Sequence, residues 1–191
     1  MNKPYKQNEQ GLTLVELLVT LTISMIFAST IYGVFISGIN LYQQTSTIGN
    51  IRDEADYIVT SIMNEFYNEE PDYVEAFQDG STVGVKLIRN PDKKVDRYIV
   101  EESDDPPTEV IISIVNDTFT IENTSKNEIT TLNTNALQLG DNSYITIDCP
   151  NRTTNGTGRC YQGLVEIKIE AIPTRQTDDV DPILLNSSFG F

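Results

Sequence analysis

The chain has 191 residues and carries 28 Asp and Glu against 13 Lys and Arg, a formal net charge of −15 with a pI near 4.2. That balance excludes a basic nucleic-acid footprint, so no direct nucleic-acid binding is expected, and the acidity suits solubility and repulsion from like surfaces. There is no histidine, which removes Ser-His triads and His-based metal sites. Neither a phosphate-binding loop nor a dinucleotide glycine fingerprint occurs in the sequence, and the chain reads as a non-enzyme with no cofactor.

Met1 to Gln10 is short and polar, with Lys3 and Lys6. An apolar run follows from Leu12 to about Ile36. A helix of about 20 apolar residues spans a bilayer core, and the two lysines would stay on its cytoplasmic side. The run holds one charge, Glu16, just inside its start. A carboxylate there costs several kcal/mol unless it is neutralised or snorkels to the headgroups. Composition alone fits a plain membrane anchor first and a cleaved secretory signal second. The signal reading is weakened because the nearest small-x-small site, Ala28-Ser29-Thr30, lies inside the run.

The residues Gly11-Leu12-Thr13-Leu14-Val15-Glu16 resemble the cleavage and methylation site of type IV prepilins and type II secretion pseudopilins. That pattern is a short basic leader ending in Gly, then a hydrophobic residue, then Thr-Leu-x-Glu and a long apolar helix. Leu12 stands where family members most often carry Phe. The resemblance covers about the first forty residues. It implies cutting between Gly11 and Leu12 by a prepilin peptidase and N-methylation of Leu12. It also implies subunit assembly through Glu16, whose carboxylate would pair with the freed amine of a neighbouring subunit. The partners implied are other pilin or pseudopilin subunits, an inner-membrane assembly platform and the membrane itself, crossed once. The C-terminal part would then lie outside the cytoplasm, in an extracellular or periplasmic filament. The length of that part is most like a minor subunit of the J type. A second reading, from a different class, is a membrane-anchored extracellular ligand-binding module.

Beyond a polar patch at Gln43 to Thr47, apolar residues recur at Ile48, Ile51, Ala55, Ile58, Ile62 and Phe66. Steps of three and four predict a one-faced helix, which Glu69, Glu70 and Pro71 end. One helix from near Leu12 to near Tyr67 is expected, roughly 80 Å long at helical rise. Its outer half needs a surface to pack on.

From Asp72 the chain reads as strands and turns. Val83, Val85 and Leu87 alternate with their neighbours, and Val165, Ile167, Ile169 and Ala171 alternate with Glu166, Lys168 and Glu170. Arg97 to Glu101 and Tyr144 to Cys149 are further strands, and Ile129 to Leu139 is a strand or an irregular edge. Ile111 to Val115 and Thr118 to Glu122 flank Asn116-Asp117, a hairpin turn. Together these predict an α+β fold: a long N-terminal helix, its outer half amphipathic, packed on a C-terminal antiparallel sheet, as the pilin resemblance also implies. The expected division is a leader at 1–11, a membrane or filament-core helix at 12–36, its amphipathic continuation at 37–70 and an exported β-rich domain at 71–191.

Cys149 and Cys160 flank a polar, turn-rich stretch. A disulfide between them would stabilise by about 3 kcal/mol and requires an oxidising compartment; two reduced thiols are the alternative. Two cysteines without histidine make a poor metal site. Asp104 and Asp105, or Asp178, Asp179 and Asp181, offer oxygen ligands of the kind calcium takes, but at no known calcium-loop spacing. They read as solvated turns, and no metal is expected.

Overall fold

The computed structural model describes residues 13–80, 82–91, 94–96, 99–101, 105–150, 158–174 and 181–191. The chain divides into two units, residues 1–45 and 46–191, and helix α1 (Leu14–Glu69) contributes to both.

In the first unit the helix is apolar on every side. Leu14, Val15, Phe27, Val34, Phe35 and Tyr42 are all exposed, and α1 is long and apolar enough to cross a membrane. Its hydroxyl side chains do not disturb this. Thr20, Thr22, Ser24, Ser29 and Thr30 each donate to a backbone carbonyl three or four residues back, Thr22 to Val19 at 2.8 Å and Ser24 to Thr20 at 2.7 Å. A hydroxyl satisfied by its own helix carries little cost in lipid.

Among the described residues, the second unit places three antiparallel sheets with the rest of the helix. Sheet 1 has the order β1 (Tyr73–Asp79), β2 (Thr82–Arg89), β5 (Thr108–Val115), β6 (Thr118–Asn123), β7 (Glu128–Thr131). Sheet 2 centres on β10 (Leu164–Pro173), flanked by β11 (Ile183–Gly190) on one side and by β8 (Leu137–Leu139) and β9 (Tyr144–Asp148) on the other. A small hairpin pairs β3 (Lys94–Asp96) with β4 (Ile99–Glu101). The fold is α+β, as expected.

Ile51, Ala55, Ile58, Ile62 and Phe66 are buried on the helix. They join Val85, Leu87, Val110, Ile112, Phe119 and Ile121 of sheet 1 and Ile145, Val165, Ile167, Ile169 and Ala171 of sheet 2 in one core. The three-and-four spacing aims one helix stripe inward, and the two-residue period does the same for the strands. Asn116 and Asp117 adopt positive φ of 49° and 57° and form the tight β5–β6 turn. Gly84 is required by packing, since a Cβ there would meet the Ile112 carbonyl and Ser113 on β5.

The helix ends at Glu69, two residues past the expected Tyr67, with Glu70 at φ 44° before Pro71. No basic residue lies in its last turn. The sheet supplies the cations instead: Arg89 donates to the Glu69 carbonyl at 3.3 Å, and Lys126 donates to the Glu69 carboxylate at 2.9 Å. Both suit the negative end of a helix.

Three differences from the sequence reading stand out. Among the described residues the strands form three sheets rather than one. Ile129 to Leu139 divides into β7 and β8, because Leu132 turns inward between them at 2% exposure. Neither β1 nor β3 was among the expected strands, and the last strand, β11, escaped the pattern entirely. Its inward residues include Ser187 and its outward ones Leu184, so polarity does not alternate with burial. Phe189 and Phe191 nonetheless carry the C-terminus into the core, with ring centroids 5.2 Å and 5.6 Å from that of Phe66.

Candidate functional site

Gly11 and Leu12, the expected cut and methylation positions, lie outside the described residues. Thr13 and Glu16 lie inside them and form a reciprocal cap at the start of α1. The Thr13 backbone N–H donates to Glu16 Oε2 at 2.9 Å, the Thr13 hydroxyl donates to the same oxygen at 3.0 Å, and the Glu16 N–H donates to Thr13 Oγ1 at 3.3 Å. This is the Thr-x-x-Glu capping box, which satisfies backbone donors left open at a helix start. The carboxylate also faces the positive end of the helix dipole. Thr13 escaped the sequence reading as a partner, although the spacing of a hydroxyl three residues before Glu is its signal.

Around this cap the side chains of Leu14, Val15, Leu17, Leu18 and Val19 are exposed. Glu16 therefore begins a helix that presents apolar surface in all directions. Residues 6–32 match the family model described as the prokaryotic N-terminal methylation motif. The methylation motif spans both Gly11 and Glu16 and ends within the exposed apolar helix. No curated protein and no solved structure matches the chain.

The other expected pair, Cys149 and Cys160, is joined by a disulfide with Cα atoms 5.9 Å apart. Cys160 sits against β1, where it exchanges two backbone hydrogen bonds with Val74, each 2.8 Å. Beside it the Arg159 guanidinium lies 4.6 Å from the Tyr73 ring centroid and 3.2 Å from Glu75 Oε1. Tyr73 and Glu75 hold that charge in place, and Arg159 is pushed above its ordinary value. Sequence alone did not point to Arg159, because its partners lie 84 and more residues away.

Of the aspartates weighed for calcium, Asp104, Asp178 and Asp179 lie outside the described residues. Among the described residues no group of three or more His, Cys, Asp or Glu is placed to hold a metal ion. Two carboxylates of the second unit hold backbone donors. Glu54 on α1 accepts the N–H groups of Asn135, Ala136 and Leu137, the Leu137 bond at 3.0 Å. Glu170 accepts the Asn142 N–H at 3.0 Å and its side-chain amide at 3.1 Å, which lowers its pKa.

Proposed function

We propose that this chain is a minor pilin or pseudopilin, a non-catalytic structural subunit that enters a type IV pilus-like or type II secretion-like filament after its leader is removed. The observation that carries the reading is the methylation motif over residues 6–32 set at the start of a helix whose stretch up to residue 45 is exposed, mostly apolar and carries one acid, Glu16.

In this reading a prepilin peptidase cuts after Gly11, and Leu12 becomes a methylated N-terminus. The helix first crosses the inner membrane once, with residues 46–191 outside the cytoplasm, and then passes to an assembly platform. In a filament the exposed apolar side chains exchange lipid for neighbouring helices, so little apolar surface meets water at any stage. Glu16 already occupies its own Thr13 cap. A neighbour's amine brought against it neutralises a carboxylate that lipid and protein would otherwise both disfavour. The exported length of the chain supports a minor, J-type subunit.

N-terminal sequencing of the membrane-extracted protein tests this. A start at methylated Leu12 is expected. A start at Met1 removes the reading and leaves the membrane-anchored binding module. Within the reading, Glu16→Ala is expected to remain processed and membrane-inserted yet fail to enter sheared filaments, and normal incorporation would overturn the pairing role.

A further inference from the structure

We infer that residues 158–163 form an oxidation-gated clasp on β1: the Cys149–Cys160 bond holds this segment closed, and reduction releases it while sheets 1 and 2 stay folded. The inference stands apart from the assembly reading and needs only the disulfide and the strand it closes on.

Cys160 within the segment is tied to Cys149, and Gly163 closes its far end. Cys149 follows directly on β9 in sheet 2. At the other end, Gly163 exchanges backbone hydrogen bonds with Phe191, 3.2 Å and 3.4 Å long, just before β10 begins. A Cβ on Gly163 would meet the Asp148 carbonyl and Cys160 Sγ, so the chain reverses there only because the side chain is absent. The segment meets β1, the edge strand of sheet 1, through one isolated bridge between Val74 and Cys160.

A single bridge has no neighbouring rungs to reinforce it. Its two hydrogen bonds are comparable in worth with the entropy lost by ordering the segment. The remaining contacts are made by exposed or solvated groups: Tyr161, 61% exposed, leans on buried Tyr73, the Arg159 guanidinium lies 4.6 Å from the same ring centroid, and its pair with Glu75 is partly solvated and screened. The disulfide is therefore the element that tips the clasp shut. The sheets do not depend on it in the same way, since Val165, Ile167 and Ile169 pack in the common core with the helix.

The two sulfurs are unequal. Cys160 is 1% exposed, whereas Cys149 is half-buried. A dithiol reductant would reach Cys149. Its thiolate bonds to Cys149 Sγ, the Cys149–Cys160 bond breaks, and Cys160 leaves as a thiolate that takes a proton from water. The reductant's second thiolate then attacks its own sulfur and frees Cys149, so the reductant ends as a disulfide and the clasp as two thiols. Once the bond is cut, only the single Val74–Cys160 bridge and the Arg159 and Tyr161 contacts hold the segment to β1.

Hydrogen exchange read by mass spectrometry on the full chain in detergent micelles tests the clasp, comparing the oxidised protein with dithiothreitol-treated protein and with the double variant Cys149→Ser/Cys160→Ser. Peptides holding Val74 and Cys160 should exchange about tenfold or more faster in both reduced forms, with β2, β5 and β10 unchanged. Unchanged protection at Val74 and Cys160 would show that the bridge and Arg159 suffice, and would overturn the inference. Loss of protection across all strands would also overturn it, by making the bond a staple of the whole domain. With limiting glutathione the first adduct should map to Cys149; an adduct on Cys160 would overturn the order of attack.

Discussion

The Glu54 carboxylate accepts the backbone N–H of Ala136 at 2.8 Å, from a residue 82 positions further along the chain. With Asn135 and Leu137 donating as well, one helical side chain holds three consecutive amides between β7 and β8. Hydrogen bonds to a charged acceptor are among the stronger ones in proteins. Glu54→Ala should destabilise the second unit by about 2 kcal/mol, and Glu54→Gln by less, because an amide oxygen still accepts. Urea unfolding of the two variants checks this, and equal midpoints to the parent would remove the role.

Two carboxylates should set opposing pH dependences. Asn142 holds the Glu170 pKa below its ordinary value through backbone and side-chain donors. In the window between that lowered value and the unfolded one, the unfolded chain binds more protons. The stabilisation from Glu170 is thus complete above the ordinary carboxylate range and fades as pH falls through the folded value. Glu65 is raised, first by burial and then by Glu69. Its folded form holds the proton longer, so its contribution weakens as pH rises from the ordinary value through the raised one. Glu170→Gln should lower the neutral-pH urea midpoint and flatten the acid limb. Glu65→Gln should raise the neutral-pH midpoint.

Thr13→Val removes the hydroxyl of the cap but keeps the backbone donor to Glu16. The first turn of α1 should lose about 1 kcal/mol, read as faster amide exchange at Glu16 and Leu17 with the remaining helix unchanged. On the proposed pilin reading, Gly11→Val should block leader removal, since a peptidase cutting there needs a small residue, and gel mobility should then stay that of the precursor.

Phe66 meets both terminal aromatics, edge-on to Phe189 and tilted against Phe191. Phe66→Ala should cost about 3–4 kcal/mol and release the C-terminal residues to carboxypeptidase digestion. Resistance equal to that of the parent would mean that β11 pairing alone holds the terminus.

Much of this protein was legible locally. The stripe from Ile51 to Phe66, the alternation from Val165 to Ala171 and the turn at Asn116-Asp117 each follow from the period of one element, and each is found in place. Glu16 stood out because a charge in an apolar run is visible from the run itself. Glu54, Arg159 and Phe191 did not stand out. Each is an ordinary surface or terminal residue by its neighbours in sequence, and acquires its role from partners more than 80 positions away.

The sequence by itself determined the apolar helix with its single acid, the amphipathic continuation and the strand periods, since these depend on residues a few positions apart. Tertiary structure alone decided that the strands divide into separate sheets, that Cys149 and Cys160 meet against β1, that Glu54 of the helix fastens a distant loop, and that Phe191 packs on Phe66. Those outcomes arise where backbone donors and ring faces from remote segments converge, and no local period encodes that convergence.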